Sequence, residues 1–285
     1  MIDQGEILWG VVAPPLLMLA GLALSATSRR WMPTGAVLAV VYALAHLGMA
    51  KWPSPGGNVH DWPAWIAVTG GVVTLCAARA GGPLAWRMIL RLVIAGVAVW
   101  LMLRPQLHGG GTGAAVGLVA GLAIGWTVMI LLWERAHAAA TPGTSLIGLT
   151  TVAGLSAISL LMFNSLTHAQ FAGILVAALG AALVVCWWRP AWWGDRTAVT
   201  VVALVLPALW LLGRFYADLP GWAVVLLALS GLAPWVGAHP AVRARAAWQR
   251  LAIVAGVALV LAAPVLAWGA VTSARAAGAQ PEYGY

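Results

Sequence analysis

The chain has 285 residues, 62% of them hydrophobic and only 8% charged. A soluble domain carries about 25% charged residues, so this chain could not cover a water-facing surface and reads as a polytopic membrane protein whose solvent is the lipid bilayer. Its formal charge of +8 gathers on no basic cluster of a soluble domain, which excludes nucleic acid as a partner.

A spanning helix needs about 20 mainly apolar residues. Ten runs are candidates: 7–27, 33–50, 63–79, 85–103, 112–133, 145–164, 169–188, 197–214, 221–237 and 250–271. The second, third and ninth are short, and Pro234 marks an early end to the ninth. The expected fold is therefore all-α, a bundle of about ten spanning helices in a single domain over 1–272. The small, polar stretch 273–285, with Pro281 and Gly284, is expected to be a flexible tail. The acidic start, with Asp3 and Glu6, lacks the basic leader of a cleaved signal peptide, so the first run reads as a retained helix.

Orientation follows from the arginines. Of the fifteen Lys and Arg residues, eleven fall on odd-numbered connections and adjoining helix ends, among them Arg29, Arg30, Arg79, Arg87, Arg91, Arg135, Arg243 and Arg245. Only Lys51, Arg104, Arg214 and Arg275 fall on the even connections or the tail. The positive-inside rule then places odd connections in the cytoplasm and both termini outside, in a cell membrane of the bacterial inner-membrane type.

Glycines recur every fourth residue at Gly113, Gly117, Gly121 and Gly125. On a helix this makes an axial groove that lets a neighbour approach closely in lipid. Ala169, Gly173, Ala177 and Ala181 make a second small-residue stripe, and close packing is expected in that region of the bundle, with the glycine face of the fifth run as a candidate partner. Cys76 and Cys186 have no framework or zinc spacing and read as small buried residues.

None of the seven acids falls in mid-span, which argues against a carboxylate relay for protons. Arg91 lies inside the fourth run and is expected to snorkel to the cytoplasmic face. Mid-membrane polarity is confined to hydroxyls, richest in the sixth run: Thr150, Thr151, Ser156 and Ser159, with Asn164 at its end. These residues could line a path for a neutral solute, or hydrogen-bond to neighbouring helices and the preceding turn.

Four histidines, His46, His60, His108 and His168, fall at the external face. Imidazole suits iron, copper and zinc, but no HExxH, CxxCH or i, i+4 pair accompanies them. The run Trp187, Trp188, Arg189, Trp192, Trp193, Arg196 reads as an interfacial anchor, with indoles at headgroup level and arginines for anionic lipid. Soluble-enzyme motifs are missing, and no catalytic residue or cofactor is called for.

On these residues the chain reads as a permease for a small neutral or amphipathic solute. The alternatives are a non-catalytic integral subunit or scaffold, with a membrane-protein partner or as a homo-oligomer, and an external-face haem or metal enzyme.

Overall fold

The computed structural model describes residues 4–27, 33–50, 58–80, 84–107, 111–189 and 197–278. Among these the chain is helical throughout, without strands. We number the long helices α1 (4–27), α2 (Thr34–Met49), α3 (Trp62–Ala80), α4 (Leu84–Leu107), α5 (Thr112–Ala139), α6 (Pro142–Met162), α7 (Leu166–Trp188), α8 (Thr197–Tyr216), α9 (Gly221–Ser230) and α10 (Ala247–Gly278). Each of the ten apolar runs is a helix. Among the described residues eight are long and apolar enough to cross a membrane, the ninth helix counted together with its continuation to Ala238. Thr34–Met49 is shorter. The protein is thus a multi-pass helical bundle.

The prolines leave marks that follow from their missing N–H. Ahead of Pro14 and Pro15 the backbone of α1 widens to a π-helix over Leu8–Val12, where the Ala13 N–H donates to the Leu8 carbonyl; such local adjustment re-satisfies backbone groups that proline frees in lipid. Ahead of Pro234 the ninth helix breaks after Ser230 and resumes as a short segment, Pro234–Ala238. Asn164 ends α6 with φ 59°. The Ser165 N–H donates to the Leu160 carbonyl and the Asn164 N–H to that of Leu161, the paired bonds of a left-handed helix stop.

The organising helix is α8. Every residue from Ala198 to Gly213 is buried, and α2 to α7 and α9 all pack on it. Its bulk is accommodated by glycines on the helices around it. A side chain at Gly35 would meet the Thr197 backbone at 2.6 Å, one at Gly70 would meet Leu204 at 2.9 Å, and one at Gly213, on α8 itself, would meet Leu160 at 2.6 Å.

The glycine stripe of α5 does something else. Gly113, Gly117, Gly121 and Gly125 are exposed, and a side chain at any of them would meet nothing within 4 Å. The close packing expected there is not made among the described residues, because α5 turns its other face, Ala123, Trp126, Ile130 and Trp133, to the core. The α7 stripe divides: Ala169 is buried, Gly173 meets nothing within 4 Å, and Ala177 and Ala181 are half-buried.

Contacts between helix ends sort by parity. His60 meets His168, Asn164 meets Asp218, and the Tyr216 hydroxyl donates to the Met102 carbonyl at 2.7 Å; all lie at even connections. At the odd end Arg243 donates to the Ala139 carbonyl at 2.6 Å and the Gly35 N–H to Thr197 at 2.7 Å. The stretch expected as a tail is described in part. Its first residues, to Gly278, continue α10, because Ala and Arg favour helix and the Ser273 hydroxyl donates to the Gly269 and Met162 carbonyls; 279–285 lie outside the described residues.

Candidate functional site

Two tryptophans of α5 set up the most distinctive site. Pro207 lacks an N–H, so the Ala203 carbonyl one turn earlier in α8 has no helical donor. The Trp126 indole donates to it at 2.8 Å. The break in α9 likewise leaves the Ala228 carbonyl free, since the Leu232 N–H donates to Leu229 instead. The Trp133 indole takes that carbonyl at 2.8 Å, passing over Gly231, where any side chain would overlap the ring. The third indole, Trp210, donates to Ser156 Oγ at 3.0 Å. These rings are buried rather than placed at headgroup level, because each has a core acceptor to satisfy.

With their N–H groups so engaged, the rings offer carbon to the space beside them. A cavity of about 360 Å³ lies between α5, α8 and α9, walled by Trp126, Trp133, Pro207, Trp210 and Leu211. It exists because Gly121 and Gly125 carry no side chains. Its rim residues Val128, Val225 and Leu229 are exposed, so it opens on the flank of the bundle, where a membrane protein meets lipid chains. On the other side of α5 an apolar groove of about 590 Å³ separates it from α4, with Gly96, Trp100 and Val116 in its walls.

Val128 and Leu132 also wall a different cavity, of about 410 Å³, lined by Arg87, Arg91, Glu134 and Arg135. Arg91 and Glu134 are paired here: Nη2 donates to both carboxylate oxygens, at 2.7 and 2.6 Å, and the Thr200 hydroxyl donates to Oε1 at 2.8 Å. Arg91 therefore does not simply snorkel. The α5 helix runs to Ala139, beyond the expected end at 133, and so carries Glu134 into its reach.

At the even end the histidines converge. His60, in a 3-10 turn Val59–Asp61 before α3, and His168, in the first turn of α7, hydrogen-bond at 2.8 Å through Nδ1 and Nε2. The other nitrogen of His168 bonds Ser165 Oγ, which is why Ser165, the residue preceding α7, makes no side-chain cap of that helix. His46 stacks on Phe171 with ring centroids 3.7 Å apart, and its Nδ1 faces the Tyr42 hydroxyl at 3.4 Å. His108 lies outside the described residues. The nitrogens of His60 and His168 that face each other are engaged in their own bond, and among the described residues no three His, Cys, Asp or Glu side chains come together to hold a metal ion.

Burial lowers the His60 pKa from its ordinary 6.5, against the opposing pull of Asp61. Burial also raises that of Asp61 from 3.8, more than His60 and the Asn58 backbone lower it. A histidine held neutral in the fold binds fewer protons than in the unfolded chain. Its contribution to stability is present above pH ~6.5 and is lost as pH falls toward the lowered folded value. The Asp61 shift acts oppositely and at lower pH, favouring the fold as the carboxyl protonates. The midpoint of thermal unfolding in micelles should therefore fall between pH 7 and 5, and less so in His60→Gln. Parallel curves for the two would contradict this.

The remaining expected sites are placed as follows. The Thr150 hydroxyl donates to the Leu146 carbonyl at 2.9 Å and that of Ser156 to Val152 at 2.7 Å. Thr151 is half-buried and Ser159 fully buried, its hydroxyl without a partner among the described residues. Asn164 is the helix stop, exposed, donating to Asp218 at 3.3 Å. The Thr150 and Ser156 hydroxyls thus serve the backbone, and none of these residues lines the cavities described above. Trp187, Trp188 and Arg189 are exposed at the end of α7; Trp192, Trp193 and Arg196 lie outside the described residues. Cys186 is buried as expected, whereas Cys76 is exposed. The flank cavity and its arginine neighbour escaped sequence reasoning, although Arg87 and Arg91 sit one turn apart and Pro207 announces a free carbonyl. No family model matches the chain, and no curated protein or solved structure matches it.

Proposed function

We propose that this protein is a permease for an amphipathic, chain-bearing solute that enters laterally from the bilayer between α5 and α9. The observation that carries the reading is the flank cavity of about 360 Å³. It is of ligand size, its walls are apolar, and two glycines hold it open at a helix-propensity cost of about 1 kcal/mol each in water. The hydroxyls of α6 give a small neutral solute little to bind, which shifts the reading to the amphipathic class. The arginine count adds that the odd end, with its basic cavity, faces the cytoplasm.

Filling the cavity tests it. A Cβ at position 125 meets nothing within 4 Å, and the cavity of about 360 Å³ beside it has room for the rest of a leucine, so Gly125→Leu should fold and melt like the parent. A bromine-labelled acyl-chain amphiphile should quench the emission of the cavity tryptophans in the parent, and about 10-fold more of it should be needed in the variant, the effect of about 1.4 kcal/mol of lost binding. Equal quenching in both would end the reading.

A second reading, an integral subunit whose partner helix lies on α5, draws support from Gly113 and Gly117, which continue the open face beyond the cavity. On that reading a protein co-purifies with the chain and shields the tryptophans from the brominated chain in the parent.

A further inference from the structure

We infer that the cavity lined by Arg87, Arg91 and Arg135 binds a phosphate-bearing anionic headgroup. The inference rests on the lateral-uptake reading for the chain that such a headgroup carries, and it assigns the other half of the amphiphile.

Arg87 and Arg91 are four residues apart on α4 and project from one face. Arg135 comes from the next helix, and the three share one cavity of about 410 Å³ with a single acid, Glu134. That acid is already engaged. It accepts two bonds from Arg91 and one from Thr200, so the cavity keeps an excess of two positive charges. The guanidinium groups are not all satisfied either: Arg91 Nη1 and Arg87 Nε are shut off from solvent with no hydrogen-bond partner among the described residues. Guanidinium N–H groups held in a fixed fork match phosphate oxygens, which accept bidentate bonds and carry up to two charges.

A carboxylate would satisfy less of this excess. The apolar part of the lining, Met88, Leu131 and Leu132, would tolerate a glycerol backbone and oppose a bare hydrated ion. The wall shared with the tryptophan cavity, Val128 and Leu132, is a single ridge one turn long on α5. A headgroup against the arginines can thus send its chain over that ridge toward Gly125 and Trp126. The ridge runs from the helix end inward, as a lipid lies in a leaflet. The same anion could come from a lipid or from free phosphate.

Native mass spectrometry of the full chain in micelles separates these. The probes are phosphatidic acid, diacylglycerol with identical chains, and inorganic phosphate alone. The parent should retain phosphatidic acid about 10-fold or more over diacylglycerol, and Arg87→Gln and Arg135→Gln should each lower that ratio several-fold, as loss of a charge-assisted bond requires. Neither residue belongs to the Arg91–Glu134–Thr200 network, so the fold should persist. Should Arg87→Gln fail to fold, Arg87→Lys, which keeps the charge and loses the fork, should give an intermediate ratio. Millimolar phosphate that binds alone and displaces phosphatidic acid identifies free phosphate as the ligand; phosphate without effect identifies the lipid headgroup. A ratio near one, or one indifferent to both arginines, overturns the inference. Gly125→Leu keeps the two readings apart. If it expels both lipids while the arginine variants change nothing, lateral uptake stands and the phosphate site falls. If it expels neither while the arginine variants abolish the ratio, the phosphate site stands and lateral uptake falls.

Discussion

Gly35→Ala and Gly71→Ala will each destabilise the bundle, by about 1–3 kcal/mol, the usual cost of overpacking, while alanine at Gly113, Gly117, Gly121 or Gly125 will leave it unchanged or slightly more stable. The contrast is geometric. A methyl at position 71 would lie 2.6 Å from the Ala39 methyl and 3.7 Å from the Ala36 Cα. Carbon atoms want ~3.5–4.0 Å, and neither neighbour has a rotamer to turn, so α2 and α3 must separate by about 1 Å. At position 35 the obstacle is the Thr197 backbone itself, at 2.6 Å, and the Gly35 N–H bond to the Thr197 hydroxyl is at stake as well. The α5 glycines meet nothing, and there alanine gains helix propensity. Unfolding in mixed micelles by increasing SDS measures all six variants on one scale. Equal costs at the two sets of sites would mean that the α5 face is packed after all.

Trp126→Phe will cost about 1–2 kcal/mol, and Pro207→Ala will restore most of that loss. Phenylalanine keeps the ring and removes the donor, leaving the buried Ala203 carbonyl unmatched, a desolvation penalty of about 1–3 kcal/mol. In lipid the unfolded reference also finds partners, which draws the figure to the lower part of that range. Alanine at 207 supplies the N–H that the helix lacks, so the carbonyl no longer depends on α5. The double-mutant cycle should show a coupling near 1 kcal/mol, above the roughly 0.5 kcal/mol within which independent sites add. Strict additivity would show that the indole bond and the proline are unrelated.

These two results bear on what the sequence can disclose. Helix identity was legible at every apolar run, because 20 residues without charge have few alternatives in lipid. Which helix sits at the centre was not. In water an all-apolar helix such as α8 would be read as buried, but in a bilayer the same composition suits the lipid-facing side equally. The glycines of α5 were legible as a groove, yet a groove has no address: spacing tells that a close approach is possible, not whether the chain itself makes it. His60 and His168 stood out as residues on one side of the membrane; their meeting depends on how two connections, α2–α3 and α6–α7, come together. Glu134 was placed just past a helix end, and one and a half further turns of α5 turned a loop acid into the partner of Arg91.

The most direct test is a cryo-EM map of the protein reconstituted in nanodiscs containing phosphatidic acid. Expected are α8 at the axis, an elongated chain-shaped density beside Trp126 and Trp133 where Gly121 and Gly125 leave room, and a compact head of density against Arg87 and Arg135. A protein helix seated on the α5 glycines, or side chains of the chain itself filling that space, would contradict this.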